Sequence, residues 1–262
     1  MTPAGSTPAV GDRTTLLGTP GTGLSPLRVL AAPVLIAAGL VVLLIWVKSQ
    51  DLDSIEQRTL NSDYLVARVR EHLELSFAAA ALVAVIAIPV GILIHLTRSR
   101  LLRSLVLALA NIGQATPAVG VVILLAIVWK TGFTTALVAL VAYSFLPVLR
   151  NTLTGLAEVD APTRESARGM GMTRWQVLRR IELPLASPVI LAGLRTSLVF
   201  AVGVATIATF INAGGLGDMI VNGLKLQRYP VLIVGSSLVA AIAILIDWLA
   251  GLVEELVRPR GL

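Results

Sequence analysis

The chain has 262 residues, of which 56% are hydrophobic and only 14% charged, with a mean hydropathy of +0.86. Soluble domains usually contain about 25% charged residues, so the composition indicates a membrane protein. The absence of cysteine excludes disulfides and Cys-based metal or redox sites, and two separated histidines cannot form a metal cluster, so no metal or cofactor is expected.

The N-terminal segment, residues 1–26, is rich in Thr, Pro and Gly and predicts a disordered tail, because it offers little apolar surface to bury. Its glycines at residues 18–23 have the spacing of a phosphate-binding loop. Leu24 stands where such a loop needs lysine, and no strand precedes it, so nucleotide binding is rejected here.

Six apolar runs follow, and we predict an all-α polytopic membrane protein with six transmembrane helices. Each run is close to or above the roughly 20 residues that span a bilayer, although the fourth is marginal. The first is too long for a cleavable signal and lacks a small-residue cleavage site. The runs cover residues 27–47, 73–97, 104–129, 132–149, 188–211 and 231–253.

Six spans place both termini on one side, and the basic residues indicate which side. With the N-terminus inside, the cytosolic segments hold thirteen Lys and Arg against seven in the outer segments. This asymmetry predicts a prokaryotic plasma-membrane protein with both termini in the cytosol. It also accounts for most of the net charge of +6, so no nucleic-acid partner is expected.

Residues 48–72 connect the first two spans on the predicted outer side. Within them, residues 51–72 can form an amphipathic helix lying on the membrane surface. A plain solvated connector explains the same pattern equally well, and both interpretations stay open.

One long polar and basic segment, residues 158–184, interrupts the apolar part of the chain; we call it the elbow. Asp160 can cap a helix that has Pro162 in its first turn. Gly169 and Gly171 then supply a break, because glycine leaves a helix through positive φ at little steric cost.

A second short helix is predicted after the break. Thr173 and Gln176 have the spacing of a capping box. This helix is expected to end near Leu183, because Pro184 disfavours α geometry in the residue before it. The elbow is therefore predicted to be helix, glycine turn, helix and stop.

The elbow resembles the EAA loop of ABC-importer permeases, which has E-A-A, a glycine, an isoleucine and then x-L-P at fixed spacing. Only the first alanine of E-A-A is replaced, by serine. An amphipathic loop lying on the lipid surface is the alternative, but it would not require the glycine turn. The matching residues are Glu165, Ser166, Ala167, Gly171, Ile181, Leu183 and Pro184.

Other stretches resemble permeases of the glycine betaine/carnitine/choline/proline uptake family, although residues 213–218 also occur in methionine-type permeases. The resemblance implies a five-helix transport core within residues 73–255, with the helix at 27–47 peripheral to it. The stretches are Leu146–Thr152, Gly155–Asp160, Gly169–Met172, Gly193–Thr196 and Ala213–Asp218.

The resemblance further implies a second permease chain, two separate ABC ATPase subunits and an external solute-binding protein. Residues Thr163 to Thr173, including Gly169, would lie in a groove of the ATPase, and the two elbow helices would move as a rigid body. The chain itself is expected to be a transport subunit and not an enzyme.

Polar residues near the bilayer centre are candidates for a pore or gate. Asn111 and Gln114 lie one turn apart in the third span, and Pro117 is expected to introduce a local kink. An interhelical hydrogen bond is an equal alternative to a gating or substrate contact.

A glycine-rich loop follows the fifth span. Gly214, Gly215 and Gly217 could let it change φ and ψ between open and closed states. The alternative is a simple tight turn.

Two charges lie inside predicted spans, Arg195 in the fifth and Asp247 in the sixth. An isolated charge at such a depth is costly, so we expect the two to pair or to share one polar network. The alternative is that Arg195 extends to the headgroups while Asp247 meets water.

The leading hypothesis is a permease subunit of an ATP-driven importer for compatible solutes. Methionine or another small amino-acid-like solute is the alternative substrate. A secondary transporter is a different class, disfavoured by the elbow and by the lack of internal repeats. A membrane anchor that only recruits a soluble enzyme is a third, and the polar residues at midplane disfavour it.

Overall fold

The computed structural model describes residues 26–97 and 99–257, and in these residues every regular element is a helix. The predicted fold class is thereby confirmed, whereas the predicted tail at residues 1–26 lies outside the described residues except for Pro26. The α-helices are α1 Pro26–Lys48, α2 Ser54–Thr59, α3 Ser62–Thr97, α4 Arg100–Ala115, α5 Ala118–Val128, α6 Phe133–Glu158, α7 Ala161–Gly169, α8 Arg174–Val177, α9 Leu183–Ala205, α10 Gly217–Lys225 and α11 Tyr229–Val257, with a π-helical turn at Leu178–Glu182 and a 3₁₀ helix at Thr206–Ile211.

Five helical segments are long and apolar enough to cross a membrane, and α4 with α5 would make a sixth if that bent pair is one span. In the centre, α6 packs against α3 and α9. Small residues allow these helices to approach closely, as in many membrane-protein interfaces. A Cβ on Gly91 would come within 2.6 Å of Thr152, and a Cβ on Gly193 within 2.6 Å of Asn151.

The first helix lies at the edge of the bundle. It packs against α11, and none of its residues from Leu30 to Lys48 is buried. Among the described residues, α1 is therefore the most exposed of the long helices.

The connector between the first two spans differs from the prediction. Instead of one surface helix over residues 51–72, α2 is a single short turn, and α3 begins at Ser62 and runs into the membrane span without a break. His72 is fully buried against α9, with its Nε2 atom 3.0 Å from the carbonyl oxygen of Val202. Residues 62–72 are therefore the first three turns of α3, and tertiary packing covers part of the face that looks amphipathic in the sequence.

The short helix α2 is held by a capping box and by an ion pair at its start. Asp53 and Glu56 form a capping box, and Asp53 also pairs with Arg228 at 3.0 Å, just before α11. The hydrogen bond from the Glu56 backbone N–H, followed by that from Ile55, holds the pKa of the Asp53 carboxyl below its usual value.

The third predicted span is broken rather than locally kinked. Helices α4 and α5 meet at an angle of 97°. Thr116 has extended backbone geometry (φ −72°, ψ 139°), as expected for a residue before proline, and Pro117 cannot donate the backbone hydrogen bond that would continue α4. A distance along one straight helix therefore does not measure the depth of Gln114.

The predicted helix stop at Leu183 is wrong. Leu183 has αR geometry (φ −64°, ψ −45°), and the chain from Arg174 to Ile211 is continuously helical. Pro184 lies in the first turn of α9, directly after the π-helical turn. A π turn breaks the regular i to i−4 ladder, so the N–H that proline lacks is not needed at this position.

Candidate functional site

The elbow has the glycine turn that its sequence predicts. Gly171 has φ +84°, a conformation that strains any residue with a Cβ, whereas Gly169 is the last residue of α7 with ordinary φ. Thr173 and Gln176 form the predicted capping box at the start of α8. Asp160 occupies the N-cap position of α7, but its side chain makes no capping hydrogen bond.

The turn exposes a mixed polar and apolar surface. Ala167 is buried and its carbonyl accepts the N–H of Met172 at 3.2 Å, which closes the turn. Glu165 and Ser166 are exposed, and Met170 at the tip is 73% exposed. This arrangement can offer one face of α7 and the turn to another protein.

The elbow is joined to the end of α3 by two side chains, Arg174 and Glu182. Arg174 donates a hydrogen bond to the carbonyl of Leu96, near the end of α3. Glu182 is buried, and its carboxylate lies 3.2 Å from His95 Nε2 and 3.8 Å from Arg164. Sequence reasoning did not single out Glu182, because its partners are 87 residues and 18 residues away and nothing local marks it.

The elbow residues at the start of α9 have a packing role. Ile181 and Leu183 are half-buried, whereas Pro184 is exposed. Leu178 of the π-helical turn packs with Leu156 of α6 in the nearby apolar cluster. The elbow therefore contacts α6 directly and continues into α9.

The three candidate pore residues of the third predicted span have different surroundings. Asn111 accepts a hydrogen bond from the Arg150 guanidinium at 2.5 Å and donates to the carbonyl of Leu107 at 2.6 Å. Asn111 thus makes the interhelical hydrogen bond that the sequence leaves as an alternative. Gln114 is half-buried and its side chain has no hydrogen bond among the described residues, and Pro117 marks the bend between α4 and α5.

The glycine loop is pressed against the first turns of α3. Gly214 and Gly215 have φ of +79° and +90°, so both need glycine. The N–H of Gly215 donates to Glu71 at 2.9 Å, and a Cβ on Gly214 would collide with the same carboxylate. A Cβ on Gly217 would collide with the carbonyl of Thr206.

A charged network surrounds this contact. Arg68 pairs with Glu71 at 2.8 Å and with Asp218 at 2.9 Å, and Asp218 also accepts a hydrogen bond from Thr209. Sequence reasoning missed this network, because it assigned Arg68 and Glu71 to a connector outside the core. The i, i+3 spacing of Arg68 and Glu71 was the available signal.

The two charges inside predicted spans lie together. Two guanidinium nitrogens of Arg195 bind the two carboxylate oxygens of Asp247, at 2.6 Å and 2.7 Å, and Arg195 also lies 3.5 Å from Glu254. A Cβ on Gly251 would come within 3.1 Å of the guanidinium, so glycine makes room for it. This network joins α9 to α11.

A comparison with protein families identifies the class of protein. Residues 87–259, which include the elbow, match the family described as binding-protein-dependent transport system inner membrane component. The chain belongs to this permease family. Membership makes the permease a multi-pass component of a transport system in the plasma membrane, as its apolar helices also require.

The permease matches nearly the whole length of several curated relatives. The carnitine transport permease protein OpuCD of Listeria monocytogenes is 42% identical over 200 residues, which are 76% of this chain and 89% of the relative. The glycine betaine/carnitine/choline permease protein OpuCB of Bacillus subtilis is 40% identical over 202 residues, or 77% of this chain and 92% of the relative. The osmoprotectant import permease protein OsmW of Salmonella typhimurium is 36% identical over 216 residues, or 80% of this chain and 100% of the relative.

Solved structures share the fold of the permease. A chain of the inward-facing MetNI methionine ABC transporter has a TM-score of 0.66 at 24% identity, covering 74% of this chain and 96% of that one. A chain of an amino acid ABC transporter crystallised with histidines has a TM-score of 0.64 at 18% identity, covering 78% and 99%. The architecture is therefore that of an ABC-importer permease, as the resemblance in the sequence implies.

Proposed function

We propose that this permease is the membrane-spanning subunit of an ATP-driven importer for compatible solutes of the glycine betaine, choline and carnitine type. The identity of 42% over 200 residues to a carnitine transport permease carries the proposal. The matched relatives named for glycine betaine, choline and osmoprotectant transport support the same substrate class. Methionine or another small amino-acid-like solute is the alternative substrate.

The permease would work with a second permease chain, two ATPase subunits and an external solute-binding protein. ATP hydrolysis belongs to the ATPase subunits in this proposal, and solute is delivered by the binding protein. The elbow would face the cytosol, together with both termini, in line with the distribution of basic residues.

The elbow would couple ATP-driven closure of the ATPase pair to the membrane helices. Its exposed face at Glu165, Ser166 and Met170 is free to enter a groove on a partner. The buried side carries Ala167 and Glu182 and is fixed to α3, so a displacement of the turn would move the helix ends with it.

Two regions of the permease would form the transport path. The bend at Pro117, with Asn111 and Gln114 before it, places polar groups beside a helix break. The loop with Gly214, Gly215 and Gly217 would act as a gate at the end of the bundle opposite the elbow. Support for the gate comes from the positive φ of its first two glycines and from the hydrogen bond of Gly215 to the Glu71 carboxylate of α3.

Uptake by the purified complex in proteoliposomes tests the proposal. The liposomes contain ATP, and the binding protein is added outside with radiolabelled glycine betaine, choline, carnitine, proline or methionine. We expect accumulation of a quaternary ammonium solute that needs both ATP and the binding protein. Uptake driven by an ion gradient without ATP would contradict the proposal of an ATP-driven importer. Accumulation of methionine alone would contradict compatible solutes as the substrate class and favour the alternative.

A further inference from the structure

A basic cavity lies at the elbow end of the bundle, beside the contact between Glu182 and His95. It has a volume of about 410 Å³ and lies between the ends of α3, α4, α6 and α7. Its described lining consists of Ile94, His95, Ser99, Arg100, Arg103, Leu153, Ala157 and Arg164.

The positive charge of the cavity is only partly balanced. Three arginines line it and none of its lining residues is acidic. Arg164 has one anionic partner, Glu182, at the long distance of 3.8 Å, and that carboxylate is shared with His95. Among the described residues, Arg100 and Arg103 have no carboxylate within ion-pair distance. The cavity therefore has an excess of at least two positive charges.

Two of these arginines lie at the amino end of α4, which makes the electrostatic potential at the cavity more positive. Arg100 is the first residue of α4, Arg103 lies one turn later, and no acidic residue occupies the first turn. The amino end of a helix favours negative charge, so two cations there are unfavourable without an anion. Ser99, whose hydroxyl caps α4 through the N–H of Leu102, adds a polar group to the same wall.

The cavity is also amphipathic. Ile94 and Leu153 are buried and form its apolar floor, whereas Arg100 and Arg103 are exposed at its rim. The floor residues belong to the last turns of α3 and α6, where apolar spans end. An apolar floor with a basic rim at this level fits a ligand that has an anionic group and hydrocarbon together.

We propose that this cavity binds a phosphate-bearing anion, supplied by the headgroup of an acidic membrane phospholipid. Arginine holds phosphate oxygens through paired N–H groups, and basic pockets between spanning helices bind acidic headgroups. The headgroup phosphate, with its single negative charge, would pair with Arg100 and Arg103, offset part of their charge and give Arg164 a second anionic partner. The bound lipid would thus touch both the start of α4 and the elbow.

Native mass spectrometry of the purified complex tests the site. Wild type is compared in mixtures of phosphatidylglycerol and phosphatidylcholine with the double variant Arg100→Gln and Arg103→Gln. Each basic residue near an acidic surface strengthens binding roughly fivefold, so the variant should lose about twenty-fivefold of the preference for phosphatidylglycerol. The matched control is Lys48→Gln with Arg58→Gln, which removes two exposed charges far from the cavity and should keep the preference.

Two further measurements separate the remaining outcomes. Arg100→Lys with Arg103→Lys keeps the charge and should keep most of the preference, which shows that the loss in the Gln variant follows the charge. Inorganic phosphate, added to the complex in neutral detergent, should not raise its melting temperature. A rise that occurs only when the arginines are present would show that the cavity binds free phosphate and would contradict the lipid as its source.

Equal lipid binding by wild type and the Gln variant, with no response to phosphate, would overturn the proposal. So would loss of the ATPase subunit from the Gln variant with lipid binding unchanged, because the cavity would then be a protein contact.

Discussion

The carboxylate of Glu71 accepts the backbone N–H of Gly215 at 2.9 Å, joining two residues that are 144 positions apart. The same carboxylate pairs with Arg68, which also holds Asp218 just after the loop. The glycine loop is therefore positioned by the first turns of α3. A loop movement that opens the bundle at this end must release Glu71.

Replacing Glu71 by alanine should loosen the glycine loop. The change removes a charge-assisted hydrogen bond and leaves Arg68 with one carboxylate instead of two, which we expect to cost about 1–3 kcal/mol. Hydrogen–deuterium exchange of residues 213–217 should become faster in the purified complex, and the melting temperature should fall.

Glu74→Ala is the matched control for this change. Glu74 lies one turn further along α3 and pairs with exposed Arg70 at 3.2 Å, so its removal should cost about 0–1 kcal/mol and leave the loop protected. Unchanged exchange in Glu71→Ala, or the same increase in both variants, would show that the carboxylate does not hold the loop.

The Arg195–Asp247 pair should behave as one unit. Arg195→Asp and Asp247→Arg should each lower the yield and stability of the assembled complex, because one charge is left without its bidentate partner; about 1–3 kcal/mol is expected. The double swap should recover part of the loss, but not all, because the carboxylate introduced at position 195 would lie near Glu254. Failure of the swap to recover anything, measured by thermal unfolding of the complex, would argue that the pair contributes no specific attraction.

The topology predicts which surfaces reach the outside of the cell. The chain contains no cysteine, so single-cysteine labelling has no background. An impermeant maleimide should label Asp51→Cys in intact cells and spare Met170→Cys, although both side chains are exposed in the protein. Permeabilised cells should label both, which controls for reactivity. Labelling of Met170→Cys alone in intact cells would show that the orientation is the opposite of the one proposed.

Local signals in the sequence predicted local structure well. Positive φ at Gly171 and the capping box of Thr173 with Gln176 depend only on neighbouring residues, and both are present. The proximity of Arg195 and Asp247 could be predicted because an unpaired charge inside a membrane is costly. Few arrangements of the two side chains avoid that cost.

The prediction was poor where distant packing decides the geometry. Glu71 contacts Gly215 and Glu182 contacts His95, and no local pattern predicts either of these long-range contacts. Pro184 was expected to end a helix, but a π-helical turn accommodates it, and propensity rules do not anticipate such turns. Only a local kink was expected at Pro117, whereas the helix breaks there by 97° and α5 packs against α6 and the 3₁₀ helix.

The coupling role that we propose for the elbow depends on the conformation of Gly171. Its φ of +84° is inaccessible to proline, whose ring fixes φ near −65°, and its N–H donates to the carbonyl of Arg168 at 2.9 Å. Gly171→Pro should therefore deform the turn while leaving the spanning helices inserted. Gly39→Ala serves as the control, because Gly39 lies in peripheral α1 with no atom within 4 Å of an added Cβ.

The most direct measurement is the ATPase rate of the reconstituted complex, with and without the binding protein and its solute, together with solute uptake. We predict that wild type and Gly39→Ala show stimulated hydrolysis and uptake, whereas Gly171→Pro shows neither although the same amount of chain is inserted. Wild-type stimulation and uptake by Gly171→Pro would contradict the assignment of the elbow as the coupling element.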